Sequence, residues 1–465
     1  MHFAVKRLEP ISCRARLVVT SRIMGHSMTW IRHSVCVVAI AGAWLPHAAR
    51  GAQPLTIEEA VNLALANNER SLKAPFRVQT AAGQLDRARA AFLPTMVAAG
   101  TETANAKADR NGRHLTTAGT LTVNQPIANF SAFPLYAQAR HQLRAETWGA
   151  IEDRRSLAFD TATTFLNTLA SERLLEAAQR RLDRAIATQQ DTQARVDAEL
   201  ASTNDATRAS IDTTTAQSQV AQARGNLDRA YLELSFLIGR SVTGPLVTPE
   251  RTTRAAKHGV FSKEAVVRLA ESRRPDLKSA EEHAESLRQA AAEPLYRLAP
   301  TIGVSGQVRT VVDPLPPDSS LSGSALLTLT WTVFDAGARY ADRKTRLAQA
   351  NSGELDERQL RRSIATDISV AIAALRTARE NLSISQEAAI AAQRNTEETG
   401  ILYRQGLARA IELTDANASQ YAAEVAVESA KLSMQQAYLG LRQALGVEPL
   451  GEELTAGSTA RNGAP

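Results

Sequence analysis

The sequence predicts a mixed α/β protein built from two internal repeats, each a β-hairpin followed by a very long helix and a shorter return helix. Three observations predict it. No proline occurs between Pro134 and Pro245 or between Pro317 and Pro449, and both stretches are filled with Ala, Gln, Glu, Asp, Arg and Leu. Marks in the first half recur in the second at a nearly constant offset. Ahead of each proline-free stretch lies a segment with the two-residue alternation of a strand. Each stretch has room for a helix of roughly 65 residues and a return helix of about 35, and at 1.5 Å per residue the longer one would reach about 100 Å. Globular helices seldom pass about 25 residues, so the chain reads as a rod or tube rather than a compact enzyme.

The first 50 residues stand apart. They carry seven basic residues (Lys6, Arg7, Arg14, Arg16, Arg22, Arg32 and Arg50) against Glu9 alone, which accounts for the whole net charge of +6. The remainder is neutral overall, so no nucleic-acid groove is suggested. Arg32 and His33 precede the apolar run Val35-Cys-Val-Val-Ala-Ile-Ala-Gly-Ala-Trp-Leu45, and small residues follow. This is the pattern of an export signal with cleavage near 49–52; the run is short for a membrane-spanning helix. Both cysteines, Cys13 and Cys36, fall inside this leader, which is assigned residues 1–51. The chain after it has no thiol for a disulfide, a thiolate metal site or lipid attachment.

The duplication is read next. Ile57-Glu-Glu-Ala-Val-Asn-Leu-Ala-Leu-Ala-Asn-Asn-Glu-Arg70 leads to Phe92-Leu-Pro94, and Phe261-Ser-Lys-Glu-Ala-Val-Val-Arg-Leu-Ala-Glu-Ser-Arg-Arg-Pro-Asp276 leads to Leu298-Ala-Pro300. The two terminal prolines are 206 residues apart. Leu121-Thr-Val-Asn-Gln-Pro126 matches Leu327-Thr-Leu-Thr-Trp-Thr332 at the same offset, and Phe236-Leu-Ile-Gly239 matches Gln443-Ala-Leu-Gly446 at 207. The first repeat is assigned 52–250, with strands about 96–126, a long helix about 131–198 and a return helix about 204–238. The second is assigned 251–447, with strands about 301–334 and helices about 336–403 and 409–445; 448–465 is a C-terminal tail.

Each repeat offers a hairpin of about ten-residue strands, the length of a tilted transmembrane β-strand. Leu327, Leu329, Trp331 and Val333 alternate with Thr328, Thr330 and Thr332, placing the first four toward lipid and the threonines toward water. A small hairpin on a soluble core has the same local pattern. Ser131 and Asp335 are the expected caps of the long helices. Their large apolar residues (Leu143, Phe159, Leu166, Leu169, Leu175, Leu182 and Ile186; Leu360, Ile364, Ile368, Ile372, Leu375 and Leu382) form one narrow seam with abundant Ala beside it. A seam so narrow leaves a lone chain with little to bury. Four strands open to lipid would also leave edge groups unsatisfied, so several chains must share one barrel. Three copies give twelve strands and a twelve-helix tube; two or four also give even strand counts.

These marks resemble the TolC-like outer-membrane efflux family over about Leu55 to Val447. The resemblance rests on Leu55-Thr-Ile-Glu-Glu-Ala-Val-Asn-Leu-Ala-Leu-Ala-Asn-Asn68, Phe92-Leu-Pro94, Asn124-Gln-Pro126, Phe334-Asp-Ala-Gly337 and Tyr403-Arg-Gln-Gly406, in this order with the duplication. It implies a homotrimer with a twelve-stranded outer-membrane β-barrel continuous with a long α-helical periplasmic barrel. The implied partners are outer-membrane lipid, a periplasmic membrane-fusion adaptor and an inner-membrane ABC transporter or proton-driven efflux pump. Three positions depart from the family pattern: Glu69 where it usually has Pro, Glu199 where Gly406 stands in the second repeat, and Asn129-Phe-Ser in place of Asp335-Ala-Gly337.

The turns near 197–205 and 403–412 are expected at the far end from the strands. Glu412 and Asp415 share a face at the start of a return helix. In a three-fold tube they would make six carboxylates round one opening, a ring that favours cations. The resemblance implies the same, since these positions match the carboxylates of the family's periplasmic constriction; acids favouring the helix dipole are the plainer reading. Asp197, Asp205, Arg208, Arg404 and Arg409 are expected either as closing links between helices or as a solvated charged turn. No catalytic residue, cofactor or metal is expected: His114, His141, His258 and His283 lack ligand spacing, and no phosphate-binding Gly-rich loop appears. Glu58 with Glu59 and Glu281 with Glu282 sit within amphipathic helices as surface or cap charges. The function expected is passive conduction of an exported polypeptide, as in type I secretion; small toxic compounds are the second cargo class, and a structural coiled-coil protein the distant alternative.

Overall fold

A computed structural model of the chain describes residues 54–107, 112, 114–258, 263–312 and 319–451. The expected leader and most of the expected tail lie outside these residues. The elements run α1 (Ile57–Asn67), α2 (Glu69–Ala90), β1 (Thr95–Ala104), β2 (Leu115–Ala128), α3 (Ala132–Asp197), α4 (Thr203–Ile238), α5 (Glu250–His258), α6 (Lys263–Arg273), α7 (Pro275–Tyr296), β3 (Thr301–Val311), β4 (Leu321–Thr330), α8 (Ala338–Arg404) and α9 (Ala410–Ala444). The long helices α3 and α8 have 66 and 67 residues, about 100 Å each at the standard rise.

The core is built twice on the same register. In the first repeat Ala60, Ala158, Ala162, Phe165, Leu169, Leu234 and Ile238 pack together. In the second, Val266, Ile364, Ile368, Leu375, Leu441 and Leu445 do so. Ala60 and Val266, Ala158 and Ile364, Ala162 and Ile368, and Leu169 and Leu375 stand 206 apart; Leu234 and Leu441, and Ile238 and Leu445, stand 207 apart. Fully burying one Leu or Phe contributes roughly 1.5–3 kcal/mol, so these clusters anchor their helices. Toward the α3–α4 turn the seam changes character. There α3 buries Ala177, Ala178, Ala185, Thr188 and Thr192, and α4 buries Ala209, Thr213 and Ala216. Small side chains bring the backbones close enough for the Thr213 hydroxyl to donate to the Ala185 carbonyl at 3.3 Å.

Both return helices end in the same joint. Gly239 and Gly446 take the left-handed conformation, at φ +69° and +74°. Gly239 lies against Asn67, whose side-chain amide donates to Ile238 O at 3.2 Å. At the matching place in the second repeat Gly446 lies against Arg274, which donates to Ala444 O at 3.4 Å. Asp276 holds Arg274 at 2.6 Å. Burial works to raise the Asp276 carboxyl, but the Arg274 guanidinium outweighs it and holds the group below its usual range.

The four strands form one antiparallel sheet in the order β1-β2-β3-β4. Cross-strand partners share a face, so the register sorts the side chains. Met96 with Val123, Ala98 with Leu121 and Val308, and Val304 with Leu327 fall on one face; Thr101 with Ala118, Thr122 with Gln307, and Asn124 with Ser305 fall on the other. One face is mostly apolar, the other mostly hydroxyl and amide. Val97, Val311 and Leu326 are exceptions on the polar face. A bulge between Pro126 and Ala128 accommodates the proline, which has no ladder N–H to give.

Three expectations fail locally. The Ser131 side chain caps nothing; its hydroxyl donates to Asn129 Oδ1 at 2.9 Å, and the residue takes helical angles instead of the extended ones a cap needs. Strand β4 stops at Thr330, so Trp331 and Val333 lie beyond it. The Trp331 indole turns back to donate to Leu298 O at 3.0 Å, which takes the segment out of the ladder. Asp335 is not the N-cap either, a position held by Gly337, but from two residues before it the Asp335 carboxylate accepts from Gly337 N at 3.1 Å and Arg339 N at 3.0 Å.

The two tip turns differ in kind. Gly406 takes φ +76°, whereas in the first repeat Glu199 takes φ +61°. A left-handed non-glycine residue costs roughly 1–2 kcal/mol. Glu199→Gly is expected to stabilise the α3–α4 turn by roughly 0.5–1 kcal/mol once the added unfolded-state freedom of glycine is set against that cost. Gly446→Ala goes the other way: its Cβ would stand 2.9 Å from the Arg274 backbone at a positive φ, for a loss of at least about 1–2 kcal/mol. Thermal melting of the two variants, with opposite shifts, checks both.

Candidate functional site

Two regions qualify by position: the turn ends of the helices and the faces of the sheet. At the turn end, α3 meets α8. The Thr192 hydroxyl lies 2.9 Å from the Tyr403 hydroxyl in a buried contact, and Tyr403 is only 4% exposed. The Arg195 guanidinium covers the Tyr403 ring at 4.3 Å from its centroid and donates to Arg404 O at 3.3 Å. Hydroxyl pair, cation–π contact and charge-assisted hydrogen bond converge on one point between the two hairpins.

Further along the seam, α3 also binds α4 and α9. Arg181, nearly buried, donates to Asp212 at 2.8 Å and stacks 5.3 Å from the Tyr421 ring centroid. Arg180 and Arg184 both reach Glu424, at 3.3 and 3.4 Å. Burial pushes the Asp212 carboxyl up; Arg181 opposes the shift, and the nearby charge of Asp415 adds to it. Asp415 is therefore close enough for its charge to reach this network.

Glu412 and Asp415 are both exposed on the opening turns of α9. Glu412 has only Arg409 nearby, at 3.6 Å, with the two side chains 51% and 81% exposed. A pair that open to water contributes little to stability. The five further tip residues named from sequence do not cross-link the hairpins through their side chains. Asp197 accepts from Gln193 on its own helix. Asp205 forms a capping box with Ser202. Arg409 reaches only Glu412, Arg404 meets Arg195 through its carbonyl, and Arg208 makes no hydrogen bond or ion pair among the described residues. The residues that do link α3 to α8 are Thr192, Arg195 and Tyr403, none of them among the tip residues expected from the sequence. Tyr403 had a signal: it opens the Tyr403-Arg-Gln-Gly406 motif in a chain with only 5% aromatic residues.

At the other end, an exposed apolar face backed by a polar face is the wall of a transmembrane β-barrel. Four strands cannot close one, and β1 and β4 each leave an unpaired edge. No helix among the described residues is long and apolar enough to cross a membrane. The molecule is thus a wall segment of a shared barrel carrying long helices with one end pinned together.

A family model for outer membrane efflux proteins matches residues 60–240 and 266–447, and the chain belongs to that family. Its members are outer-membrane channels, passive and not enzymes, with a helical tunnel in the periplasm; they work as homotrimers with a periplasmic adaptor and an inner-membrane pump. The fold is similar to the crystal structure of CusC, with a TM-score of 0.73 at 18% identity over 84% of this chain and 92% of that one. The CmeC outer membrane channel of Campylobacter jejuni gives 0.73 at 16% identity over 85% and 87%. The open state of the MtrE outer membrane channel of Neisseria gonorrhoeae gives 0.71 at 19% over 85% and 91%. No curated protein sequence matches the chain.

Tyr403→Phe deletes one buried oxygen and leaves the Thr192 hydroxyl without its cross-hairpin partner. The expected loss is about 1–2 kcal/mol of tip closure per chain. Faster amide hydrogen exchange at 188–200 and 400–410, with no change at the cores around Phe165 and Ile368, is the measurement.

Proposed function

We propose that three copies of this chain form an outer-membrane channel whose helical tips are its gate. An inner-membrane pump supplies the energy and a periplasmic adaptor engages the tips. The chain itself conducts passively. Three four-stranded sheets close a twelve-stranded barrel in which each β1 edge meets a neighbour's β4 edge, leaving no open ladder in lipid. The observation that carries the gate is the buried contact of Tyr403 with Thr192 and Arg195, joining α3 to α8 only a few residues from the turns. Opening consists in parting these helices. An adaptor drives it by binding the parted arrangement more tightly than the joined one.

Glu412 and Asp415 are proposed as the selectivity ring. Both remain exposed within one chain, and three-fold symmetry gathers six carboxylates around the axis. Arg409, the cation beside Glu412, lies at the surface at 81% exposure and swings aside at little cost. The double variant Glu412→Ala, Asp415→Ala is expected to lower cation preference and raise basal conductance in planar bilayers. Wild-type selectivity in that variant would sink the ring.

For cargo, polypeptide export of the type I secretion kind is proposed first. It rests on the simple duplicated plan and on a chain with no cysteine after Cys36 to carry a lipid. Efflux of small toxic compounds uses the same passive tunnel. A strain lacking the chain, compared with its complemented parent, separates the two. Loss of one large secreted polypeptide with normal drug retention supports secretion; raised drug retention with an unchanged secretome assigns efflux.

A further inference from the structure

Two charged residues stand within the four strands, Glu102 on β1 and Arg309 on β3. The register puts them on opposite faces. Arg309 is aligned with Thr120 on one side and Ser322 on the other, among the hydroxyl and amide side chains. Glu102 aligns with Thr117, on the face that carries Ala98, Leu121 and Val308. On the central strand β2, Ala118 on the polar face is 4% exposed and Leu121 on the other face 41%, while β1 and β4 are open on both faces. Arg309 is exposed and makes no hydrogen bond or ion pair among the described residues. An arginine that neither packs nor pairs contributes nothing evident to the stability of the sheet.

β3 leaves the helical end at Thr301, so Arg309 lies two residues from the strand's outer end at Val311. A twelve-stranded barrel with strands about 4.8 Å apart and tilted about 40° has a backbone radius of about 12 Å. An extended arginine reaching about 6 Å inward would bring its guanidinium to about 6 Å from the axis. That is inside one Debye length at 0.1 M salt, about 10 Å. The five N–H donors of a guanidinium match phosphate and carboxylate oxygens, which a point charge does not.

We propose that Arg309 forms a three-fold cationic ring inside the barrel near its outer mouth, a binding site for anionic groups of phosphate- or carboxylate-bearing solutes. The inference rests on the trimeric channel reading above and goes beyond it. The ring lies at the end opposite Glu412 and Asp415 and carries the opposite sign. Solute leaving the tunnel therefore meets a ring of anions first and a ring of cations last.

The test is block of single-channel current by tripolyphosphate added on the barrel side of a planar bilayer. Wild-type channels should be blocked. Arg309→Ser should raise the half-blocking concentration by at least about tenfold at about 10 mM salt, where the Debye length is about 30 Å, and the difference should shrink toward nothing at 1 M. Arg309→Lys should fall between the two, keeping the charge and losing the fork. Glu102→Gln, its charge on the lipid face, should block like wild type. Unchanged conductance of all variants at 1 M salt shows that each barrel has folded. Equal block of wild type and Arg309→Ser overturns the ring, and so does a change confined to Glu102→Gln, because the faces would then be exchanged. Absence of any conductance from the wild-type protein defeats the channel reading itself, a different failure.

Discussion

Every backbone amide and carbonyl of a strand in hydrocarbon must find a partner within the protein, because lipid offers none. For this chain that constraint is unmet as a single copy. Its four strands pair internally through three ladders and leave β1 and β4 each with an open edge. Closure by identical neighbours converts a deficiency of the chain into the geometry of the assembly. It fixes the number of long helices entering the tunnel, because every strand pair leads directly into one helix and its return. The narrow apolar seam of those helices follows too. A wall one helix thick, wet on both sides, has only its lateral flanks to bury, and exposed residues such as Val370, Ile384, Leu232 and Phe236 mark where more burial is available.

Within the chain, the joints are placed where each helix changes duty. The clusters around Phe165 and Ile368, near the middle of the long helices and in that sense equatorial, hold those helices by bulk. The turnward stretches hold by closeness, with Ala and Thr letting backbones approach. The final contact is polar, at Thr192, Arg195 and Tyr403. Large apolar contacts thus thin out from mid-helix to tip, where the proposed gate lies. The polar tip contact also suits a switch. It is specific in geometry and modest in net energy, because water competes for each group once the helices part.

Much of this was legible in the sequence for two physical reasons. Proline cannot be placed inside a helix without loss, so its absence over more than a hundred residues marks the long helices almost to their ends. The register of about 206 residues exposed the repeat, because two copies of one core require the same spacing. What escaped was side-chain pairing at long separation. Thr192 and Tyr403 are 211 residues apart, and whether they meet depends on the rotation of two helices about their axes, which no local pattern reports. The charged residues at the turns are neighbours in sequence, and the structure uses them locally, Asp205 for a cap and Asp197 for its own helix. Strand β4 is shorter than its sequence alternation suggests for a related reason. The alternation continues through Trp331 and Val333, but a ladder needs a partner strand, and β3 has none to offer before Thr301.

The unbroken run of α3 has one more consequence, in leverage. From Leu169 in the equatorial cluster to Asp197 at the helix end is about 42 Å at 1.5 Å per residue. A rigid rod of that length, pivoting about its packed middle by about 10°, carries its end sideways by about 7 Å. On the proposed gating, a small reorientation at the packed middle of the helix becomes a displacement of about 7 Å at its end. The chain needs no hinge within the helix, only stiffness between the two places.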